Sequence, residues 1–237
     1  MPNDYFQFKQ FTIQQDHCAM KVSTEACILG AWFGHQDIHA ETVLDIGCGT
    51  GLLMLMLAQK WDVAVHGIEI DTEAAEQLKD NIRQSPWKEE CIVFTGDIRS
   101  YPLPVVYDFI ITNPPFYENQ LVSPNSTINL ARHSSSLTLE ELLQAIDIKL
   151  SSTGSFGILL PTERALFFER LSNEKGFHLI KKLEISHSAR HVPTRSILHL
   201  GRKAGEVAIG EQLFIRGLDG TYSPDFTRLL KDYYLHL

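Results

Sequence analysis

The stretch VLDIGCGTGLLMLML, residues 43–57, decides the fold. An apolar run ends at Asp45, three alternate glycines follow, and a dense apolar segment begins at Leu52. That order is strand, tight turn, helix. Gly47, Gly49 and Gly51 let the backbone pass close to a ligand, with no Cβ in the way. The helix start beyond them presents free N–H groups to polar ligand atoms. The spacing is G-x-G-x-G, and Leu52 stands where a dinucleotide fingerprint requires its third glycine. No Lys-Ser or Lys-Thr follows, so the turn is not a nucleoside-triphosphate loop either.

Working outward, short apolar strands alternate with amphipathic helices. Strands are expected at 42–46, 64–70, 91–95, 107–112, 155–160, 179–186 and 195–201. Helices are expected near 23–33, 51–60, 72–84, 138–150, 164–174 and 224–234. Near-continuous apolar runs such as FIIT and FGILL suit strands covered on both faces. The alternation predicts an α/β fold, a mostly parallel sheet with helices on both faces. HSARHVPT, between the last two of these strands, is too short for a crossover helix, so that pair is expected to be antiparallel. Asp71 reads as an N-cap, and Thr138 with Glu141 as a capping box flanked by Leu137 and Leu142 at staple positions.

Ligands of open α/β sheets bind beyond the carboxyl ends of the strands. Three successive strand ends offer suitable groups there. The Asp45 glycine turn allows close approach, Glu69 is placed to bind a ribose diol, and Asp97 is placed to accept from an adenine amino group. Each acid alone could be a helix cap or a solvated loop residue; their order favours a nucleoside site. A fourth strand, YDFIIT, then ends in Asn113-Pro114-Pro115-Phe116. Two prolines cannot continue a strand, and they fix φ, so neighbouring carbonyls and side chains are held still.

The chain's 237 residues suffice for a substantial core. With 44% hydrophobic and 21% charged residues, the composition is that of a globular protein. No apolar run reaches the roughly 20 residues of a membrane span, and no secretory leader is visible at the N-terminus. Cys18, Cys27, Cys48 and Cys91 are scattered and read as reduced thiols of a cytoplasmic protein, not a zinc site. The net charge is −8, but Lys175–Lys203 holds seven basic residues against Glu184 alone, a balance of +6 that leaves −14 elsewhere. That segment, which also contains His178, His187, His191 and His199, is either a solvated sheet edge or a phosphate-contacting patch.

Asp45-Ile-Gly-Cys-Gly-Thr-Gly51, Glu69, Asp97 and Asn113-Pro-Pro-Phe116 together resemble the class I S-adenosylmethionine-dependent methyltransferases. Within that superfamily the chain resembles the bacterial tRNA1(Val) adenine-N6-methyltransferases, through MKVSTEACILGAW (20–32), NPPFYEN (113–119), ARHSSSL (131–137) and YSPDFTRLLKDYYL (222–235). The resemblance implies a Rossmann-like, seven-stranded sheet with one antiparallel strand, S-adenosyl-L-methionine as cofactor, tRNA as partner, and methylation of the adenine beside the anticodon of a valine tRNA. It implies a single domain, with residues 1–40 as an N-terminal lid, 41–203 as core sheet and 204–237 as a C-terminal strand and helix. No obligate protein partner and no metal are expected.

In this reading Asn113 and the Pro114 carbonyl hold the amino group, and Phe116 stacks on the base. Arg132 and His133 are candidate substrate contacts. Thr24 is a candidate for the methionine carboxylate, with Ser23 or Thr24 as a plain helix cap the alternative. Phe6, Phe8, Phe11, Tyr233 and Tyr234 read as packing residues, the last two half-buried. N-P-P-[FY] also occurs in methyltransferases of guanine N2, of DNA adenine and of a glutamine amide. Asn113 therefore identifies a planar nitrogen acceptor and leaves the molecule open. A non-catalytic RNA-binding module is the alternative of another class.

Overall fold

A computed structural model describes residues 3–18, 20–115, 137–203 and 208–237. An N-terminal hairpin pairs β1 (Tyr5–Gln7) with β2 (Thr12–Gln14), and α1 (Thr24–Gly34) follows. The central run is β3 (Thr42–Ile46), α2 (Leu52–Ala58), β4 (Ala64–Glu69), α3 (Thr72–Arg83), β5 (Cys91–Thr95) and β6 (Tyr107–Thr112). After it come α4 (Leu139–Lys149), β7 (Leu150–Pro161), α5 (Thr162–Glu174), β8 (His178–Ser186), β9 (Arg195–Gly201), β10 (Ile209–Phe214) and α6 (Pro224–Leu230).

The main sheet runs β10-β8-β9-β7-β6-β3-β4-β5. All seven strands expected before residue 204 form, and β10, the strand expected within 204–237, joins them parallel to β8, so the sheet has eight strands and not the seven implied. Only β9 runs antiparallel, to β7 on one side and β8 on the other. The chain builds outward from β3 to β5 in one direction and resumes at β6 in the other, so the crevice between β3 and β6 is the topological switch. Register there is fixed by Asp45 opposite Ile111 and Ile46 opposite Thr112, with the Thr112 hydroxyl donating to the Ile46 carbonyl at 2.9 Å.

The two sheet faces bury separate clusters. Helices α1, α2, α3 and α6 and the N-terminal segment cover one, around Val43, Met54, Leu78, Phe109 and Phe226. Helices α4 and α5 cover the other, around Leu44, Ile110, Leu143, Phe156 and Phe168. Alternation along β3 assigns Val43 and Asp45 to the first face, Leu44 and Ile46 to the second.

The ends of the chain meet in the first cluster. Phe8 stacks on Phe11 at 4.5 Å, Phe6 tilts against Tyr234 at 5.7 Å, and the Lys9 N–H donates to the Tyr233 carbonyl. Tyr233 is fully buried and Tyr234 buried, both deeper than half-burial, because the N-terminal segment covers them. The Tyr233 hydroxyl is satisfied by the Met56 carbonyl at 3.0 Å.

The expected caps form. Asp71 accepts from the Glu73 and Ala74 N–H groups. Thr138 and Glu141 make the full capping box, at 3.1 and 2.9 Å. Replacing Thr138 with alanine removes the side-chain half of that box; we expect a loss of about 1 kcal/mol, read as a lower denaturant midpoint.

Candidate active site at the sheet switch point

The expected donor-site residues lie along one edge of the sheet, on adjacent strand ends. In register order they follow β6, β3, β4 and β5: Asn113, the glycine turn, Glu69 and Asp97.

The turn needs its glycines. Gly47, Gly49 and Gly51 all have positive φ, at 70, 50 and 83°. A Cβ on Gly47 would meet nothing within 4 Å, and one on Gly49 only the Gly47 carbonyl at 3.9 Å. The space above these two residues is therefore open to a ligand. Gly51 faces inward: a Cβ there would stand 2.0 Å from the Leu78 side chain. The turn is tied to β4 by the Gly47 N–H donating to the Ile68 carbonyl at 2.9 Å.

Glu69 braces the turn from the neighbouring strand. One carboxylate oxygen accepts the Gly49 N–H at 2.9 Å and the other the Asp71 N–H at 3.0 Å. A carboxylate offers about four lone-pair sites, so acceptor capacity for a diol remains. Asp97 is gripped by Arg99, whose Nε reaches both oxygens at 3.0 Å and whose Nη2 reaches one at 2.6 Å. Those bonds hold Asp97 ionised, below the ordinary carboxylate range. Arg99 also bonds Glu141 at 3.2 Å, linking this loop to the capping box of α4.

Asp45 differs from the other two acids. It is 1% exposed, and neither carboxylate oxygen has a hydrogen-bond partner among the described residues. Burial first, and the Glu69 charge second, push its pKa well above the ordinary range. An unpaired buried carboxylate is costly and calls for a cation or donor. S-Adenosyl-L-methionine carries a sulfonium and an ammonium, so the orphaned Asp45 oxygens and the open cradle of Gly47 and Gly49 fit it.

Asn113 follows β6 directly and is half-buried, Pro114 is buried and Pro115 exposed. Phe116, Arg132 and His133 lie outside the described residues. Thr24 opens α1, but Ser23 is the cap, accepting the Ala26 N–H at 3.2 Å. The Thr24 hydroxyl lies against that of Tyr234, in the C-terminal segment.

Two residues escaped the sequence reading. Buried Asn81 on α3 accepts the Gln14 N–H at 2.9 Å and donates to the Gln14 and Thr50 carbonyls, both at 3.0 Å. It pins the N-terminal hairpin to the glycine turn. Gln77, one helical turn earlier, accepts the His17 N–H at 3.1 Å and donates to Asp16. In sequence they look like ordinary polar residues of a solvated helix face.

The methyltransferase small domain family matches residues 20–141. Among solved structures, the fold is similar to a predicted O-methyltransferase from Agrobacterium tumefaciens, with TM-score 0.65 and 15% identity over 87% of this chain and 95% of that one. It is also similar to a ribosomal protein L11 methylase from Lactobacillus delbrueckii, with TM-score 0.56 and 16% identity over 80% and 83%. Curated relatives are much nearer in sequence. A protein of Dyadobacter fermentans is 42% identical over 98% of both chains, and one of Bacteroides thetaiotaomicron 38% over the whole of both. Both are named tRNA1(Val) (adenine(37)-N6)-methyltransferase. Identity at that level from end to end, on a sheet with an open glycine turn at its switch point, means that the chain belongs to the methyltransferase small domain family and, within it, to the tRNA1(Val) (adenine(37)-N6)-methyltransferases.

Proposed function

We propose that this protein transfers the methyl group of S-adenosyl-L-methionine to N6 of an adenine in tRNA, the adenine at position 37 of a valine tRNA, as the names of its relatives state for them. One observation supports the chemistry above the others: the Asn113-Pro114 ledge directly follows a strand in register with the one that opens the glycine turn. Acceptor ledge and donor cradle are thus neighbours across the switch point.

Bound donor supplies an electrophilic methyl on sulfur. The chain's residues supply position and polarisation. The adenine N6 lone pair is delocalised into the ring, so the nitrogen must be made more nucleophilic. In this reading the Asn113 side-chain oxygen accepts one N6 hydrogen and the Pro114 carbonyl the other. Both bonds strengthen as positive charge develops on the attacking nitrogen, so they favour the transition state over the ground state, and one N6 proton then leaves to solvent. The prolines keep both acceptors still. Phe116 stacks on the everted base, a contact of roughly 1–3 kcal/mol, and Arg132 and His133 reach the substrate. Glu69 takes the ribose diol, Asp97 the adenine amino group of the donor, and Asp45 its positive charge. Thr24 remains the candidate in α1 for the donor's carboxylate. Base eversion costs a few kcal/mol, least in a loop.

We read residues 1–237 as one domain, because the N-terminal hairpin and α6 share a core with the sheet, and as a monomer. Free thiols at Cys18, Cys27, Cys48 and Cys91, of which three are buried, support a cytoplasmic setting. Among the described residues no helix is long and apolar enough to cross a membrane.

The test is nucleoside mass spectrometry of valine tRNA from cells with and without the gene. Loss of N6-methyladenosine on deletion is the expected result. An unchanged tRNA, with loss of a methyl from ribosomal RNA or a release-factor glutamine instead, would replace this reading.

A further inference from the structure

The basic segment 175–203 does not form one patch. Arg202 lies past the end of β9, at the sheet edge opposite the candidate site, bonded to Asp147 at 2.8 Å and stacked 4.9 Å from the Phe177 ring. Lys181 bonds Gln36 at 2.6 Å, and Lys182 pairs with Glu184 at 3.2 Å. His199 is buried, bonded to Ser155 at 2.9 Å, and its pKa is lowered to about 4 by burial and then by Lys181, so it is neutral. These groups are spent on the fold.

Three others, His187, Arg190 and His191, gather elsewhere, together with Arg216 from beyond the segment. Strands β8 and β10 run parallel to β6, so their carboxyl ends reach the same edge as Asn113. There the 187–191 turn and the 216–220 turn enclose a cleft of about 200 Å³ lined by His187, Ser188, Arg190, His191 and Arg216. Arg216 is fixed in place. Its guanidinium lies 4.1 Å from the Tyr222 ring centroid and gives one N–H to the Gly220 carbonyl at 3.0 Å; an arginine has five donors. Ser188 Oγ receives the Arg190 N–H at 3.4 Å and meets His191 Nδ1 at 2.9 Å. His187 stands edge-on to His191 with ring centroids 5.2 Å apart. The acid of these turns, Asp219, is occupied by the Thr221 N–H at 3.1 Å and hydroxyl at 2.9 Å. The cleft therefore brings the Arg190 and Arg216 side chains together, the second held in place, on a chain of net charge −8.

We propose that this cleft binds a backbone phosphate of the RNA substrate and sets its register relative to Asn113. The inference rests on the tRNA reading above. Strands β8 and β10 stand three and four positions from β6, about 14–19 Å at the usual strand spacing of roughly 4.8 Å. Stacked nucleotides rise about 3.4 Å each, so that span is about four to six residues of one RNA strand. It is fewer where eversion stretches the backbone. Backbone contacts of this kind fix orientation without reading sequence.

The test is the salt dependence of binding of valine tRNA to the full chain. Arg190→Ala with Arg216→Ala should lower the slope of log affinity against log salt by about 0.7–0.9, the loss of one phosphate contact. It should raise KM for tRNA while leaving kcat and S-adenosylhomocysteine binding unchanged. Arg190→Ala alone, on an exposed turn, preserves the test if the double variant folds poorly; its slope should fall in the same direction, by part of that amount. Lys203→Ala, past the end of β9 at the opposite edge, should change neither slope nor KM. An unchanged slope in the Arg190 variants, or an equal fall in the Lys203 variant, overturns the cleft alone. Wild-type chain that methylates no tRNA overturns the substrate reading and the cleft with it.

Discussion

Asn113→Ala lowers kcat for methyl transfer by about 10²–10³, the scale of removing one preorganised hydrogen-bonding group that acts on transition-state charge. The donor should still bind with unaltered affinity, since Asn113 stands on the acceptor side of the crevice, after β6. The prolines beside it keep their fixed φ whatever residue 113 is, so the backbone ledge and the Pro114 carbonyl survive. What disappears is one of two acceptors for the amino hydrogens. Asn113→Asp separates geometry from charge: it keeps the oxygen and loses the amide. Single-turnover transfer to valine tRNA, beside thermal shift with S-adenosylhomocysteine, reads both quantities. A kcat within a few-fold of wild type would remove Asn113 from the chemistry.

Asp45→Asn should move stability and donor affinity in opposite directions. In the free chain the Asp45 carboxyl is buried and unpartnered among the described residues, with its pKa raised. A raised folded-state pKa means that the folded chain holds the proton more tightly than the unfolded chain. The associated stability is fully present below the unfolded value of about 3.9 and is lost as pH rises towards the folded one. Asparagine stays neutral throughout, so at pH 7 the free variant should melt at a higher temperature than wild type. With donor the sign reverses. Removing one partner of a buried charge pair costs roughly 3–5 kcal/mol, about 150-fold to 4,000-fold in Kd. Donor binding to wild type should also tighten as pH rises, because Asp45 must ionise to pair with the donor's cation. Equal donor affinity in wild type and variant would show that Asp45 serves the strand and not the ligand.

The sheet was legible wherever strands are central. TVLDI, YDFIIT and FGILL are buried on both faces and read as continuous apolar runs. β10, sequence IGEQLF, lies on the sheet edge with Ile209, Gly210 and Gln212 exposed, so it lacks that signature. β1 and β2 have three residues each and depend on Asn81 and Tyr234, both far away in sequence. No local pattern announces such strands. Caps are local, and Asp71 and Thr138 were found for that reason. The candidate donor edge was legible as a place, because its groups sit at strand ends in a fixed order. Its interior wiring was not: Glu69 to Gly49, Arg99 to Asp97 and Glu141, and Asn81 to Thr50 are side-chain choices that only the folded chain makes. The basic segment misled in one respect, since its charges divide between two sheet edges and nothing in their spacing says so.

The most direct measurement is a crystal structure of the chain with S-adenosylhomocysteine and an anticodon stem–loop of valine tRNA. The expected result places adenine N6 within about 3 Å of both the Asn113 side-chain oxygen and the Pro114 carbonyl, with the nucleoside of the ligand over Gly47 and Gly49 and its ribose on Glu69. An adenine seated away from Asn113, or a ligand lodged off the glycine turn, would contradict it.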